Sequence, residues 1–331
     1  MVEKARKMIG DVSHLPFSRA EGERLRGQAE ADGIRPKHTS PWSLLSTKPP
    51  EIELLEPRNY DPENPASIRL RRMAGRPILK VPIRLPEVDP RGISSATSFE
   101  CWKKACDSKI GVAGYYYSFK GQGRVACHSH LEARLLHFFE MCPLVVEIRT
   151  QYPQWDREDF REYCLSGARY PEPRLRTIDF MLTLMLPGIP YYVYHGVSAK
   201  PSGKLDEPRV VTRHQNEADG LWEWGGTHEP MSELTVSPQE ARNYDRMLAA
   251  MEQAEPEDIV ALSTSAATLA QKLRTTKAQG SMDRILSMVG RRQQWSFNET
   301  YRIFAIAFFL GHLRWNHREK FDPTGPLCLV W

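Results

Sequence analysis

The sequence has no apolar run that approaches the roughly 20 residues a helix needs to cross a bilayer. It begins with MVEKARKMIGDVSH, which lacks the apolar stretch of a secretory signal, and no internal repeat is visible. Hydrophobic residues make up 41% and charged residues 26% of the chain, as in ordinary globular proteins. We therefore expect a soluble, cytoplasmic protein with no membrane partner, folded into two units that follow an N-terminal arm.

The six cysteines have irregular spacings, and no Cys-x-x-Cys pair occurs. Without a secretion signal, such cysteines indicate reduced thiols rather than a disulfide framework. A zinc site can still be built from thiolates and imidazoles, the ligands that zinc prefers. Its ligands would be Cys101, Cys106, Cys127, His128 and His130. The loose spacing of the first two and the position of both histidines at a predicted helix start favour packed thiols instead.

Charge is unevenly distributed along the chain, although the net charge is only +4. Residues 101–130 hold 5 Lys/Arg against 1 Asp/Glu, and residues 257–331 hold 10 against 6. Residues 131–256 between them are acidic, with 13 against 20. An enzyme that cleaves phosphodiesters needs acidic residues to hold cations and basic flanks to hold phosphate. An uneven but merely solvated surface charge explains the counts about equally well.

Three segments differ in pattern. Residues 1–98 contain many prolines and no sustained periodicity, which predicts an extended or partly ordered arm. Residues 99–256 mix strand and helix patterns and form the predicted catalytic domain. Residues 257–331 change to helical patterning in a basic segment, with two short helices and a longer apolar one. This favours a helix-turn-helix or winged-helix module for docking to DNA or protein, although any small helical bundle looks alike.

The segment after residue 99 interleaves basic and aromatic side chains. Its cations are Lys103, Lys104, Lys109, Lys120 and Arg124, and its aromatic residues are Tyr115, Tyr116, Tyr117 and Phe119. Lysines pair with phosphates while aromatic rings pack on sugars and bases, so this segment is a candidate DNA surface. The alternative is a β-hairpin whose aromatic residues are core and whose lysines are solvated.

A helix and two strands surround the most informative residues. Ser129 is a good N-cap, and leucine and phenylalanine recur at helical spacing after it, so a helix should begin there. LVVEIRTQYPQ predicts a strand that ends before Pro153. Residues 154–174 resemble a loop insertion, and residues 201–237 a long polar excursion. A further helix should begin at Pro238.

TIDFMLTLML and YYVYHGVSAK predict a β-hairpin, because the turn Pro187–Pro190 separates two β-rich runs. If Leu186 pairs with Tyr191, Asp179 lies opposite Ser198, and Lys200 lies opposite the residue two positions before Asp179. Asp179, Ser198 and Lys200 then share one face of the sheet. Asp179 and Lys200 become diagonal neighbours, roughly 7–8 Å apart at the backbone.

Asp179 lies within an apolar strand, where an unpaired buried carboxylate would cost several kcal/mol. Either Lys200 neutralises it in a structural ion pair, or a cation binds it and the lysine faces a reacting phosphate. Glu132 would join Asp179 if its helix packs across the mouth of the sheet. Glu, Asp, x, Lys in this order form the site of PD-(D/E)xK nucleases, in which carboxylates hold Mg²⁺. Ser129-x-x-Glu132 is equally a capping box, which is a structural device.

The stretch GRVACHSHLEARLLHFFEMCPLVVEIRTQYPQ resembles the N-terminal pattern of the TnsA family of transposon endonucleases. There a Gly-Arg-Val strand leads to a Ser-x-Leu-Glu helix and then to a strand that closes on Ile-Arg-x-Gln-aromatic-Pro. The matching residues are Gly123, Arg124, Val125, Ser129, Leu131, Glu132, Ile148, Arg149, Gln151, Tyr152 and Pro153. TIDF and VSAKP resemble the family's Thr-Asp-Phe and Val-x-x-Lys-Pro strands, and WSFNETYRIFAIAFFLGHLRWN is similar to the end of many relatives.

The resemblance covers residues 120–250 well, the tail loosely and the arm not at all. It implies an α/β restriction-endonuclease-like fold with a mixed sheet flanked by helices, and it assigns the catalytic roles to Glu132, Asp179 and Lys200. The metal ligands would be Glu132, Asp179 and Ser198. Many relatives have Gln or Glu at the position of Ser198, and a serine reaches less far and is a poorer ligand.

The implied reaction is Mg²⁺-dependent cleavage of the 5′ strand at transposon ends in double-stranded DNA, with Mn²⁺ as a substitute metal. The implied partners are a separate TnsB-like DDE transposase, which cuts the 3′ strand, and a TnsC-like AAA+ ATPase that docks on the C-terminal module. Two alternatives stay open. One is a stand-alone restriction or repair nuclease of the same fold, and the other is a catalytically silent DNA-binding scaffold.

Overall fold

A computed structural model describes residues 53–54, 68–73, 77–91, 93–101, 103–107, 112–155, 174–186, 192–222, 226–251 and 254–330. The strands are β1 Glu53–Leu54, β2 Pro77–Ile78, β3 Gly114–Ser118, β4 Gly123–Cys127, β5 Val145–Gln154, β6 Arg176–Leu184, β7 Val193–Ala199, β8 Thr227–Met231, β9 Arg314–Trp315 and β10 Leu329–Val330. The α-helices are α1 His130–Glu140, α2 Pro208–Trp222, α3 Pro238–Ala250, α4 Pro256–Thr275, α5 Met282–Arg292 and α6 Phe297–Phe309.

The central sheet has four strands in the order β5-β6-β7-β8. β5 and β7 both pair antiparallel with β6, whereas β8 runs parallel to β7. Parallel neighbours need a crossover, and α2 provides it between β7 and β8. The predicted α/β class, with a mixed sheet and flanking helices, is confirmed at this level. No helix in the described part of the chain is both long enough and apolar enough to span a membrane.

The register of the β6–β7 hairpin agrees with the predicted one. Phe180 pairs with Val197 and Met181 with Gly196, and the same register places Asp179 opposite Ser198 just beyond the last pair. The turn on which that prediction was built, residues 187–190, lies outside the described residues. The agreement follows from the period-two alternation of a sheet, since a slip by one residue would turn every side chain to the other face.

The prediction that a strand ends before Pro153 is wrong, because β5 continues to Gln154 and Pro153 pairs with Thr177. β5 is an edge strand of the central sheet. Proline lacks the N–H that an inner strand would need, but at an edge the missing donor interrupts no ladder bond on the outer side.

The interpretation of residues 201–237 as a polar excursion is also wrong, since they contain α2 and the fourth strand, β8. The buried face of α2 carries His214 and Glu217 beside Val210 and Leu221, which weakens its apolar periodicity. Two glycines let the helix approach the sheet closely, because a Cβ on Gly196 would lie 2.5 Å from Leu221 Cδ1. A Cβ on Gly220 would lie 2.5 Å from Gln154 Nε2.

The arm and the C-terminal segment both pack into the core of the central domain. Ile68, Leu70 and Ile93 are fully buried in the same apolar cluster as residues of the sheet and of α6. The Leu79 N–H donates to the Leu310 carbonyl at 2.9 Å, which joins the arm to the end of α6. The boundaries at 98/99 and 256/257 stay predictions, but the hydrophobic cluster continues across both.

The helical segment after residue 256 differs from the predicted lengths. α4 is the longest of its three helices with 20 residues, and the apolar α6 has 13. Proline at the start of α4 and threonines along it weaken its apolar signal in the sequence. Serine N-caps begin the next two helices, with Ser281 before α5 and Ser296 before α6.

Candidate active site

Strands β6 and β7 stop pairing at the position of Asp179. Beyond the last pair, Phe180 and Val197, the Ala199 N–H is accepted by Oδ2 of Asp179 at 2.7 Å rather than by a β6 carbonyl. A side-chain oxygen thus replaces the ladder bond where the strands diverge. Burial raises the pKa of Asp179 to about 6, and so does Glu132, although the Ala199 N–H, Arg213 and Lys200 act in the opposite direction.

Glu132 reaches the same place from the first turn of α1. Ser129 caps this helix as predicted, because its Oγ accepts from the Glu132 N–H at 3.2 Å. The Glu132 carboxylate accepts from the His128 N–H at 2.8 Å, Ser129 Oγ at 2.9 Å and Gln151 Nε2 at 3.2 Å. It therefore does not return to the Ser129 N–H as a full capping box would. Burial raises the pKa of Glu132 despite these donors and Lys200.

Gln151 holds Glu132 from an unusual backbone conformation. It lies on β5 between the pairs Thr150–Phe180 and Tyr152–Ile178, and so beside Asp179. Its φ of +50° is rare for a residue other than glycine. Such conformations persist where the surroundings enforce them, and they concentrate at functional sites. Gln151 is also one of the residues that carry the TnsA resemblance.

Lys200 follows β7 and completes the predicted group. Its N–H donates to the Met231 carbonyl at 2.9 Å, which fixes its backbone against β8. The ammonium lowers the pKa of both Glu132 and Asp179, but it forms no ion pair with either among the described residues. The structural ion pair that the sequence allowed between Asp179 and Lys200 is therefore not formed.

Ser198 does not turn towards these carboxylates. Its Oγ donates to Oε2 of Glu217 at 2.6 Å and lies 3.0 Å from Nε2 of His228. The residue is fully buried, so its hydroxyl is committed to α2 and β8. Serine, histidine and glutamate together are typical of a nucleophile, but His228 Nε2 also lies 3.4 Å from Glu217 Oε2. One nitrogen cannot relay a proton between a serine and a carboxylate that it faces on the same side. Metal ligation by Ser198 stays a prediction.

Glu217 was missed by the sequence reasoning. Its side chain is completely buried, yet its pKa is lowered to about 2. Burial acts in the opposite direction, but hydrogen bonds with His228 and Ser198 and the charge of Arg213 outweigh it. Arg213 Nε donates to Glu217 Oε1 at 2.6 Å from one helical turn earlier. That i, i+4 spacing is the only signal the sequence offered, and it is common on solvated helix faces.

The candidate DNA surface is a hairpin of β3 and β4, as the alternative interpretation predicted. However, Tyr115 and Tyr117 are 43% and 51% exposed, so these rings are not core. Arg124 lies over the Tyr115 ring with 5.1 Å from Cζ to the centroid. Lys103 and Lys104 are exposed nearby in sequence. Lys109 lies outside the described residues.

The prediction that Lys120 belongs to the DNA surface is corrected by its burial. It is 5% exposed, and its Nζ donates to the carbonyls of Phe139 at 3.0 Å and Cys142 at 2.8 Å. Burial lowers the pKa of Lys120 to about 8, although Glu140 acts against this. The buried Lys120 ammonium binds carbonyl groups at the C-terminal end of α1, where it does not reach a phosphate. Lys120 therefore no longer belongs to the DNA-contacting group.

The zinc cluster does not assemble in the described residues. His128 Nε2 lies 3.1 Å from the Lys104 carbonyl, and Cys127 is buried with its pKa raised by burial. No group of three or more Cys, His, Asp or Glu side chains in the described ranges is placed to hold a metal. Mg²⁺ needs fewer protein ligands, because one or two carboxylates with water and substrate phosphate suffice. The donors Glu132 and Asp179 fit that requirement.

Two neighbouring carboxylates form the chemical core of this site, and Glu132 raises the cost of ionising Asp179. Neighbouring like charges are relieved either by sharing a proton or by binding a cation. Lys200 and Arg213 lie close enough to affect Asp179 electrostatically, so they bring positive charge to the place where β6 and β7 separate. No protein-family model matches the chain, and no curated protein matches it either. The case for a function therefore depends on the motifs and on this geometry.

Proposed function

We propose that this protein is a metal-dependent DNA endonuclease of the TnsA type, with a restriction-endonuclease-like catalytic fold. One observation carries the proposal. The carboxylates of Glu132 and Asp179 converge from α1 and β6 at the point where β6 and β7 separate, with Lys200 beside them. Carboxylate pairs with a lysine in this chain order suit hydrolysis of phosphodiesters.

The side chains divide the work by chemistry. Glu132 and Asp179 would hold Mg²⁺ or Mn²⁺, and Gln151 keeps one oxygen of Glu132 in place. When bound, the metal supplies Lewis acidity and lowers the pKa of an attacking water. Lys200 has an ammonium without a hydrogen-bond partner in the described residues, so it can approach the phosphate and stabilise the charge that develops there.

The proposed substrate is double-stranded DNA at transposon ends, cut on the 5′ strand. Exposed Tyr115, Tyr117 and Arg124, with Lys103 and Lys104, offer a cationic and aromatic surface for its backbone. A TnsB-like transposase and a TnsC-like ATPase are the proposed partners. The helices α4, α5 and α6 are the proposed docking module for the ATPase.

Metal binding tests the proposal without any partner. Calorimetric titration with Mn²⁺ should show binding to the wild type, and both D179N and E132Q should lose it. D219N is the matched control, because Asp219 is an exposed carboxylate on α2 that accepts only from Gln215. Equal affinities of wild type, D179N and E132Q would refute the metal site and leave a DNA-binding scaffold as the function.

Plasmid nicking separates the two enzymatic alternatives. Purified protein with Mn²⁺ should leave supercoiled DNA intact and should nick it once a TnsB-like transposase and its transposon ends are supplied. Cleavage by the protein alone, lost in D179N and kept in D219N, would instead identify a stand-alone nuclease.

A further inference from the structure

Arg213 on α2 lies at the mouth of the candidate site, although neither the motif nor the resemblance includes it. Its Nη2 donates to the carbonyl of Thr177 at 3.1 Å, two residues before Asp179 on the same strand. Its Nε donates to Glu217 at 2.6 Å. Its charge also acts on the Asp179 carboxylate, whose pKa it lowers.

The Arg213 guanidinium is hydrogen-bonded to the protein through some of its donors and exposed to solvent through the others. An arginine carries five N–H donors, and only two of those of Arg213 are used within the described residues. The side chain is 39% exposed, whereas its partner Glu217 is completely buried. The anchored donors therefore face the protein, and the other donors are open to solvent.

The Glu217 carboxylate that anchors Arg213 has more polar neighbours than the carboxylate of an ordinary surface ion pair. Glu217 is fixed by Ser198 from β7 and faces His228 from β8, so two strands position the carboxylate that holds Arg213. A side chain locked in this way loses little further entropy on binding a ligand, which is how preorganised sites gain affinity. A second carboxylate at position 198 would face Glu217 directly, and like charges so close are unfavourable.

We propose that Arg213 binds a phosphate of duplex DNA beside the metal site, as a second cation next to Lys200. In this arrangement Ser198 serves as a positioning residue, since it holds Glu217, which in turn holds Arg213. The inference rests on the proposed nuclease function. Arginine suits the role because its planar fork donates two bonds to one phosphate.

Duplex binding at several salt concentrations tests the assignment on the full-length protein. The probe is a fluorescent duplex of random sequence with Ca²⁺ in place of Mg²⁺, measured by anisotropy. R213Q should weaken binding about tenfold, and the slope of log affinity against log salt should fall by about one unit. R209Q is the matched control, because Arg209 lies one turn earlier on α2 with its side chain 84% exposed and a bond to Glu207. It should change neither quantity beyond a small fraction.

R213K and thermal unfolding separate phosphate binding from a purely structural role. Lysine keeps the charge but cannot bond to both Glu217 and Thr177, so R213K should keep the salt slope while losing stability. R213Q should lose both. A purely structural role predicts the same loss of stability in both variants, but an unchanged salt slope in R213Q as well as in R213K.

These measurements distinguish a failure of the Arg213 assignment from a failure of the proposed function. If the wild type binds Mn²⁺ and DNA, and R213Q has the same salt slope as R209Q, the assignment of Arg213 is overturned while the nuclease proposal stands. If the wild type binds neither Mn²⁺ nor DNA, the proposed function falls and this inference falls with it.

Discussion

The substitution of Asp179 by Asn should stabilise the metal-free protein, even though it should destroy the metal site. Asp179 is held beside a second carboxylate in a partly buried position, and its pKa is raised from 3.8 to about 6. A carboxyl with a raised pKa in the folded state opposes folding above that pKa, because ionisation costs more there than in the unfolded chain. Asn keeps an oxygen that can accept the Ala199 N–H, so the replacement removes the charge and little else.

The magnitude follows from that pKa. At about 1.36 kcal/mol for each pH unit, the rise from 3.8 to about 6 corresponds to at most ~3 kcal/mol. Glu132 ionises more easily once its neighbour is neutral, and Asp179 is not fully shielded from solvent. A gain of about 1–2 kcal/mol at pH 7.5 is therefore expected, or about 1.5–3 °C in Tm for a chain of this size. The gain should shrink as pH falls from about 6 towards 4, because the wild-type carboxyl then takes up a proton.

The assay is urea or thermal unfolding in EDTA between pH 4.5 and 8, with D219N as the control for loss of an exposed carboxylate. Added Mn²⁺ should reverse the order, since a ligand that binds only the folded wild type stabilises it by mass action. A D179N variant that is less stable than wild type in EDTA at pH 7.5 would show that Asp179 is a structural group. The electrostatic account of the site would then be refuted.

Three further predictions concern the surroundings of the site. K120M should destabilise the protein by about 3–5 kcal/mol, because it leaves the buried Glu140 carboxylate without its counter-charge. Unfolding in urea measures this loss. A K120M variant with wild-type stability and weaker DNA binding would return Lys120 to the DNA surface. G196A should cost about 1–3 kcal/mol in the same assay, because its Cβ would meet Leu221. Gly203 has open space around its Cβ position, so G203A is the control and equal costs would contradict the close approach of α2. The triple variant K103Q/K104Q/R124Q should lower the salt slope of duplex binding by roughly one unit for each phosphate that these side chains neutralise in the wild type; an unchanged slope would mean that the β3–β4 hairpin does not touch DNA.

The parts of the fold that the sequence predicted are those with a strong local signal. The β6–β7 register followed from alternation and a short turn, and the start of α1 followed from the Ser129 cap. β8 and α2 were missed because their buried faces carry His228, Glu217 and His214 among few apolar residues. Hydrophobic periodicity cannot detect an element whose inner face is polar. That face is polar because it lies against the candidate site, so periodicity failed where function is expected to override the pattern.

The motif residues differ in how far the sequence alone could place them. Strand geometry was enough to predict that Asp179 and Lys200 share one face of the sheet, whereas the approach of Glu132 depended on how α1 packs. The hydrogen bonds of Ser198 could not be predicted, because its partners Glu217 and His228 lie on a helix and a strand that the sequence pattern did not reveal. In the structure, Ser198 donates to Glu217 on α2. A small side chain that carries a hydrogen-bond donor fits this buried position. A departure from a family motif therefore cannot be interpreted from the motif alone, because its compensation lies on an element that is distant in sequence and adjacent in space. In the proposed nuclease, Ser198 would serve phosphate binding, because its hydroxyl holds the buried Glu217 that in turn orients Arg213.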